Sequence, residues 1–313
     1  MAISKTATTA RIHVQERGQP VTLSSLVAQY LDWKRVGGAS ECTLKAYRND
    51  LTKLVQALGE DVEHEALTAF SLQNFVGYLR LAKLSDTSIS RSLSAAKSFV
   101  AWACNEGIYS DNFAQAVRGP RRLTRIPDVP SIEAMQQMLD GGVPSSWPER
   151  DRLILELLYG CGLRNSELVG LNVDDRLTQD EWLVRGKGKK ERKVPMSEPA
   201  RNALTEYLAA RSRILTLHQG DTTALILNLR GDRITTRSVG RLVKQIAVAK
   251  GLPKTTHPHL FRHAAAAHML EKGAHLSDVK TLLGHAKLAT TLIYSGGTSW
   301  KRMRESYDRT FKR

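Results

Sequence analysis

Residues Trp182 to Met196 read WLVRGKGKKERKVPM. Two short runs bearing apolar side chains flank a turn built of glycine and lysine, which is the pattern of a β-hairpin. Almost everywhere else apolar residues recur at helical intervals, so the chain reads as mainly α with a small β-sheet. The other strand expected is a short one near Leu225 to Leu229.

Working outward from the hairpin, the C-terminal side is expected to hold helices over 198–214, 236–250, 258–271 and 277–283. On the N-terminal side, Pro148 to Tyr159 forms a helix with Leu153, Ile154, Leu157 and Leu158 on one face, and Ser131 starts another that runs through Leu139. Before it lies RGPRRLTRIPDVP, Arg118 to Pro130, with three prolines and four arginines. Such a segment is extended and reads as a linker between domains.

The first hundred residues form a helical domain. Leu23, Leu26, Val27, Tyr30 and Leu31 precede Gly37-Gly38 at helical spacing. After Ser40, an N-cap, come Leu44, Tyr47, Leu51, Leu54, Val55 and Leu58. Phe70, Phe75 and Leu79 mark a third helix. Ile89, Leu93, Ala96, Phe99, Val100 and Ala103 mark a fourth that ends at Gly107. The chain therefore divides into an extension over 1–19, a helical domain over 20–117, a basic linker over 118–130, a second domain over 131–297 and a terminal helix over 298–313.

The chain carries 46 Lys+Arg against 31 Asp+Glu, a net charge of +15. Residues 1–117 hold 12 basic and 11 acidic side chains, so the excess belongs to the linker and the second domain. That asymmetry suits a polyanionic partner. The three cysteines, Cys42, Cys104 and Cys161, lack CxxC spacing and adjoin apolar segments, and are expected to be buried free thiols of a reducing compartment. The start has no apolar core of a signal peptide, and no run approaches the ~20 apolar residues of a membrane span. A cytoplasmic location follows as an expectation.

Candidate chemistry comes in pieces. GCGLRNSEL sets Arg164 at a glycine-bounded turn with Glu167 three residues on; an arginine there can fork two donors onto a phosphate while the glutamate orients it or a neighbour. RGKGKKERK offers Lys187 on the hairpin turn. HPHLFRH places His259 and Arg262 on one helical face. LLGH supplies His285, and Tyr294 follows nine residues later, just before Gly296-Gly297. Each piece alone has a plain structural reading: a solvated basic turn, an intrahelical ion pair, a buried tyrosine before a loop. GKGKK is not a P-loop, because no Ser or Thr follows the lysine. His257, His259, His263 and His268 lack metal-binding spacing, and no metal is assigned; His263 and His268 read as structural.

Together, Arg164 in GLRxSEL, Lys187 in GKGxKxR, His259-x-x-Arg262, His285 in LLGH and Tyr294 resemble the signature of the tyrosine recombinase (phage integrase) family, especially its Xer-like members. The resemblance covers about residues 20 to 300, since SECTLKAYRNDL and SDTSISRSLSAAKSFVAWACNEG are similar to the family's helical core-binding domain. Three positions depart from the usual pattern: Asn112-Phe113 where Asn-Pro is common, Ala264 to Ala267 after His263, and Asn165.

The resemblance implies a SAM-like helical domain and an α+β catalytic domain closing round DNA as a C-shaped clamp. It implies site-specific recombination of double-stranded DNA at a short core site, through a 3′-phosphotyrosyl intermediate, in a DNA-bound tetramer with or without a second recombinase or accessory protein. Tyr294 would be the nucleophile, Arg164 and Arg262 the phosphate clamp, His259 the base, Lys187 the acid, His285 a phosphate hydrogen-bond donor and Glu167 a support behind them. No cofactor is implied, because the phosphotyrosine conserves the energy of the broken bond. DNA contacts are expected from Lys45, Arg48, Arg91, Lys97, Arg118, Arg121, Arg122, Arg125, Arg241 and Lys244. In the tail, Trp300, Met303, Tyr307 and Phe311 form an apolar stripe that would dock on a neighbouring protomer. Two rivals use the same features differently: a monomeric type IB topoisomerase that relaxes supercoils, and a DNA-binding protein that never cuts.

Overall fold

Four hydroxyl side chains start the four helices of the first unit. Thr22, Ser40, Thr68 and Ser85 each accept from the backbone N–H three residues on, at 3.2 to 3.3 Å, which satisfies a donor that the first helical turn would leave unpaired. The helices are α1 (Leu23–Val36), α2 (Glu41–Leu58), α3 (Ala69–Leu81) and α4 (Asp86–Asn105). The computed structural model describes residues 21–120, 129–140, 142, 145–186, 191–284 and 298–311. It divides into two compact units, 1–125 and 126–313.

The core of the first unit gathers around Tyr30, which is fully buried, stands edge-on to Phe99 at 5.6 Å and donates its hydroxyl to Ser98 at 2.7 Å. Leu51, Leu54, Leu72, Phe75 and Trp102 complete it. Phe70 does not belong to this core. At the second position of α3 it points away from the Leu72, Phe75, Val76 and Leu79 stripe and is 76 % exposed. Cys42 is likewise exposed at the start of α2, whereas Cys161 is buried; burial pushes the Cys161 thiol up to about 12, which keeps it protonated.

The second unit is built on α6 (Pro148–Tyr159), which packs against α5 (Ile132–Leu139), α8 (Glu198–His218), α9 (Thr236–Ala249) and α10 (Pro258–Glu271). Leu153, Ile154, Leu155, Leu157 and Leu158 are all buried, so this helix is covered on every side. Between α6 and α8 come a short helix, α7 (Asn165–Gly170), and the hairpin of β1 (Glu181–Arg185) with β2 (Glu191–Pro195). The strands pair antiparallel, Trp182 with Val194 and Val184 with Arg192. Because facing residues share a side of the sheet, Trp182, Val184, Arg192 and Val194 all look inward.

The strand expected near Leu225 to Leu229 does not form a ladder. Single bridges join Asn172 to Ala224 and Leu227 to Arg233. Between them the Tyr207 hydroxyl takes the place of a neighbouring strand, donating to the Leu225 carbonyl and accepting from the Leu227 N–H, both at 3.0 Å. α8 runs to His218, past the expected end at Ile214, because Ile214 and Leu215 still pack on the core. The last helices are α11 (Leu276–Leu283) and α12 (Thr298–Phe311).

α12 packs on α10 and α11 of its own unit. Tyr307 is fully buried and Phe311 3 % exposed, with the Phe311 ring edge-on to Tyr159 at 5.2 Å. In the single chain these two residues, expected at a protomer interface, are covered by their own unit. The side chains of Trp300 and Met303 lie outside the described residues. Phe311→Ala should lower the unfolding free energy of the second unit by about 3 kcal/mol or more, measured by chemical denaturation of the free protein.

Two glycines permit the close approaches that matter below. Gly162 has φ +58°, and a side chain there would start 2.9 Å from Leu283; Gly284 has φ +61°, and a side chain there would start 2.9 Å from the Arg192 stem. Gly162→Ala should lower the thermal midpoint through both strain and overlap. Gly170→Ala, which meets nothing within 4 Å, should leave the midpoint unchanged within a degree or so.

Candidate active site

The turn that Gly162 allows ends at Arg164, the residue before α7, and Glu167 lies one helical turn on. Glu167 reaches back to accept the Arg164 backbone N–H at 2.9 Å and binds the Arg164 guanidinium at 2.6 Å. The same carboxylate takes two bonds from Arg192 of β2, one to each oxygen, both at 2.8 Å. Arg262 of α10 stands 3.9 Å from it. One buried carboxylate thus faces three guanidiniums.

The three arginines also converge on the end of α11. Arg192 Nε donates to the carbonyl of Leu282 at 3.0 Å, Arg262 donates to that of Leu283, and Arg164 makes a longer contact with that of Gly284 at 3.4 Å. A second donor of Arg262 binds the Gly162 carbonyl at 2.6 Å. Helix-end carbonyls lack intrahelical partners and carry partial negative charge, so cations are favoured there.

Burial alone would raise the Glu167 pKa, but the bonds from Arg192 and Arg164 outweigh it and hold the carboxyl at about 2. Arg262 is lowered to about 9, by burial first and then by repulsion from Arg164, and stays charged at neutral pH. The exposures differ: the Arg164 side chain is 32 % exposed and that of Arg262 5 %.

His259 lies one turn before Arg262 on α10, a helix begun by Pro258 and capped by His257, whose Nδ1 accepts the Leu260 N–H at 3.2 Å. Burial, then the neighbouring His257, Arg262, His263 and Arg164, lower the His259 pKa below the ordinary imidazole value. A neutral imidazole at pH 7 can accept a proton. His263 is exposed. His268 is buried; its Nε2 donates to the Pro130 carbonyl at 2.9 Å, which leaves Nδ1 to accept the Tyr159 hydroxyl at 2.8 Å. Among the described residues, no three His, Cys, Asp or Glu side chains are grouped to share a metal ion.

Lys187, His285 and Tyr294 lie outside the described residues, as do Arg121, Arg122 and Arg125. Of the expected DNA contacts, Lys45, Arg48, Arg118, Arg241 and Lys244 are exposed and Lys97 is half-buried. Arg91 is not free. Its guanidinium forks onto buried Asp50 at 2.8 and 3.0 Å, so its charge is neutralised within the first unit. Arg237, Arg241 and Lys244 share one exposed face of α9. The start of that helix is tied to α7 by Asn165, which donates to the Thr236 carbonyl at 2.9 Å.

Reading the sequence gave Arg192 no role. The signal was present in the alternation of β2: two residues before buried Val194, Arg192 takes an inward position, and an inward arginine needs an acidic partner.

Comparison with known proteins gives the family. Residues 131–298 match the model of the phage integrase family, and residues 27–107 match that of the phage integrase N-terminal SAM-like domain. The chain belongs to the phage integrase family of tyrosine recombinases. Among its relatives is tyrosine recombinase XerC of Alcanivorax borkumensis, 36 % identical over 81 % of this chain and 82 % of the relative. Among solved phage integrase folds, XerH recombinase bound to a palindromic difH substrate aligns with TM-score 0.68 at 20 % identity, over 92 % of this chain and 82 % of that one. A lambda integrase tetramer bound to a Holliday junction aligns with TM-score 0.67 at 21 % identity, over 91 % and 78 %.

A carboxyl whose folded pKa lies near 2, below its unfolded value of 4.5, stabilises the fold fully above the unfolded pKa. That contribution is lost as pH falls through the folded pKa. The stability gap between wild type and Glu167→Gln should therefore be widest at neutral pH, narrow from about pH 4.5 downward and close near pH 2. Denaturant titrations at stepped pH measure it.

Proposed function

We propose that the chain recombines double-stranded DNA at a short specific site, with Tyr294 as nucleophile. The single observation that carries the reading is the geometry around Glu167: three arginines on one carboxylate leave net positive charge one helical turn from His259. Arg164 and Arg262 hold the nonbridging oxygens, where negative charge grows in the transition state. Their partners at the end of α11 and at Glu167 fix both guanidiniums before substrate arrives, which avoids a reorganisation cost.

The Tyr294 oxygen bonds to phosphorus as the bond to the 5′ oxygen breaks, and the phenol proton passes to His259. At an unperturbed pKa of about 10, ionising a tyrosine at pH 7 costs roughly 4 kcal/mol, which the base and nearby cations offset. Lys187 supplies a proton to the departing 5′ oxygen, and His285 hydrogen-bonds the phosphate. A 5′ hydroxyl from another strand then attacks the 3′-phosphotyrosine and reverses the step, with no external energy source. The exposed row Arg237, Arg241 and Lys244 on α9, with Lys45, Arg48, Lys97 and the arginines of the linker, contacts the DNA backbone. The tetramer named for the lambda integrase complex supports assembly of four copies on DNA. The α12 stripe is then available for exchange between protomers, replacing the cis contact by an equivalent one in trans.

A nicked suicide duplex bearing the site should trap the wild-type protein on a 3′ phosphate, whereas Tyr294→Phe should bind the same duplex and form no adduct. An adduct with the Phe variant would sink the assignment. Trapping should survive excess EDTA, and log K for DNA should fall with log salt by about 0.9 per phosphate neutralised. A plasmid with two sites separates recombination from simple relaxation: resolved product is expected, and relaxation without recombinants would favour a topoisomerase.

A further inference from the structure

Charge balance around Glu167 raises a question about Arg192. Arg192 is only 14 % exposed, and its three nitrogens are engaged inside the protein, two with Glu167 and one with the Leu282 carbonyl. Three of its five N–H donors are thereby held by protein groups. Its stem fills the space next to Gly284, where a Cβ would come within 2.9 Å, so the approach of β2 to the end of α11 is built around it.

We infer that Arg192 is a positioning residue for DNA cleavage: by forking onto both oxygens of Glu167 it limits that carboxylate's hold on Arg164 to one guanidinium bond and keeps Arg262 at 3.9 Å, so that both still present donors to the phosphate. The inference rests on the recombinase reading above. Glu167 carries one negative charge and is 3 % exposed, so it demands a full cationic partner. With Arg192 in place the bidentate pair meets most of that demand, Arg164 shares one guanidinium donor with Glu167, and Arg262 stays beyond hydrogen-bond range of it. Without it the nearest replacements are Arg164, already bonded at 2.6 Å, and Arg262 at 3.9 Å. Either would turn further toward the carboxylate and away from the substrate. Arg192 thus protects the clamp by competition, and it also ties β2 to the carbonyl of Leu282.

A positioning role and a purely structural role differ in their kinetic consequences. Arg192→Met keeps the apolar stem and removes the charge. Single-turnover adduct formation on the suicide duplex should fall by roughly 10²-fold, the cost typical of losing one preorganised donor, while half-site affinity changes by less than about 3-fold, since the residue does not touch DNA. Adding Glu167→Gln to Arg192→Met removes the uncompensated carboxylate and should recover at least about tenfold of the lost rate. If Arg192 served only to hold the fold, the double variant would be slower than the single one, and that result overturns the inference. So would wild-type cleavage by Arg192→Met, or a loss residing in affinity.

Should Arg192→Met fail to show a cooperative unfolding transition, Arg192→Lys carries the test. Charge is retained but the fork onto both oxygens is lost, so its cleavage rate should fall by about tenfold at unchanged affinity, and adding Glu167→Gln should restore most of that loss; a double variant slower than Arg192→Lys overturns the inference. Wild-type protein that forms no adduct at all would instead remove the recombinase reading, and this inference with it.

Discussion

A single buried carboxylate organises the second unit. Glu167 lies where burial disfavours its charge, yet the bonds from Arg192 and Arg164 hold its pKa near 2. The ligands of this knot come from α7, β2 and α10, and the same arginines end on three successive carbonyls, Leu282 to Gly284. Four segments far apart in sequence are therefore fixed by one ionic centre. Removing any member would leave a buried charge or a helix end without its partner, which is the expensive case for ionic groups in an interior.

Electrostatics alone does not bring the segments close enough. The carbonyl of Gly162 can receive Arg262, and Leu283 can lie over Gly162, only because that residue lacks a Cβ and takes a left-handed φ. Gly284 does the same for the stem of Arg192. Each glycine stands at a helix boundary, where the chain turns and a backbone group is free to be bonded. The packing of α6, covered on all sides by apolar neighbours, supplies the rigid floor on which these turns rest.

Features with a local signature were legible in the sequence. Ser40 and Ser131 cap helices through their own side chains, and the apolar spacing behind them marks the buried stripe. The hairpin followed from two short runs around a Gly/Lys turn, and the family followed from the order of its motifs along the chain. What escaped depends on contacts distant in sequence. Tyr207 substitutes for a strand at Leu225 to Leu227. Asp50 neutralises an arginine 41 residues away. The role of Arg192 needs both the parity of β2 and the position of Glu167, and neither alone points to the pair. An apolar stripe such as that of α12 states how much area must be covered, and says nothing about which chain covers it.

The same distinction bears on the positive charge that first suggests a polyanionic partner. Several of the basic residues in the second unit are consumed by the fold. Arg211 binds the carbonyls of Thr222 and Ala224, Arg233 those of Val169 and Leu171, and Arg150 pairs with Asp151. These arginines pin loops whose carbonyls no strand or helix satisfies, and their charge is partly screened by the groups they bind. Net charge counts them equally with Arg237, Arg241 and Lys244, which stand exposed on one face of α9. A phosphate backbone responds to the second kind, because counterions are released only where charge meets solvent. In the proposed function, affinity for a polyanion and precision at its phosphorus are carried by different cations. The exposed row on α9 can vary without disturbing Glu167, whereas the arginines around Glu167 cannot change without altering where the remaining donors point.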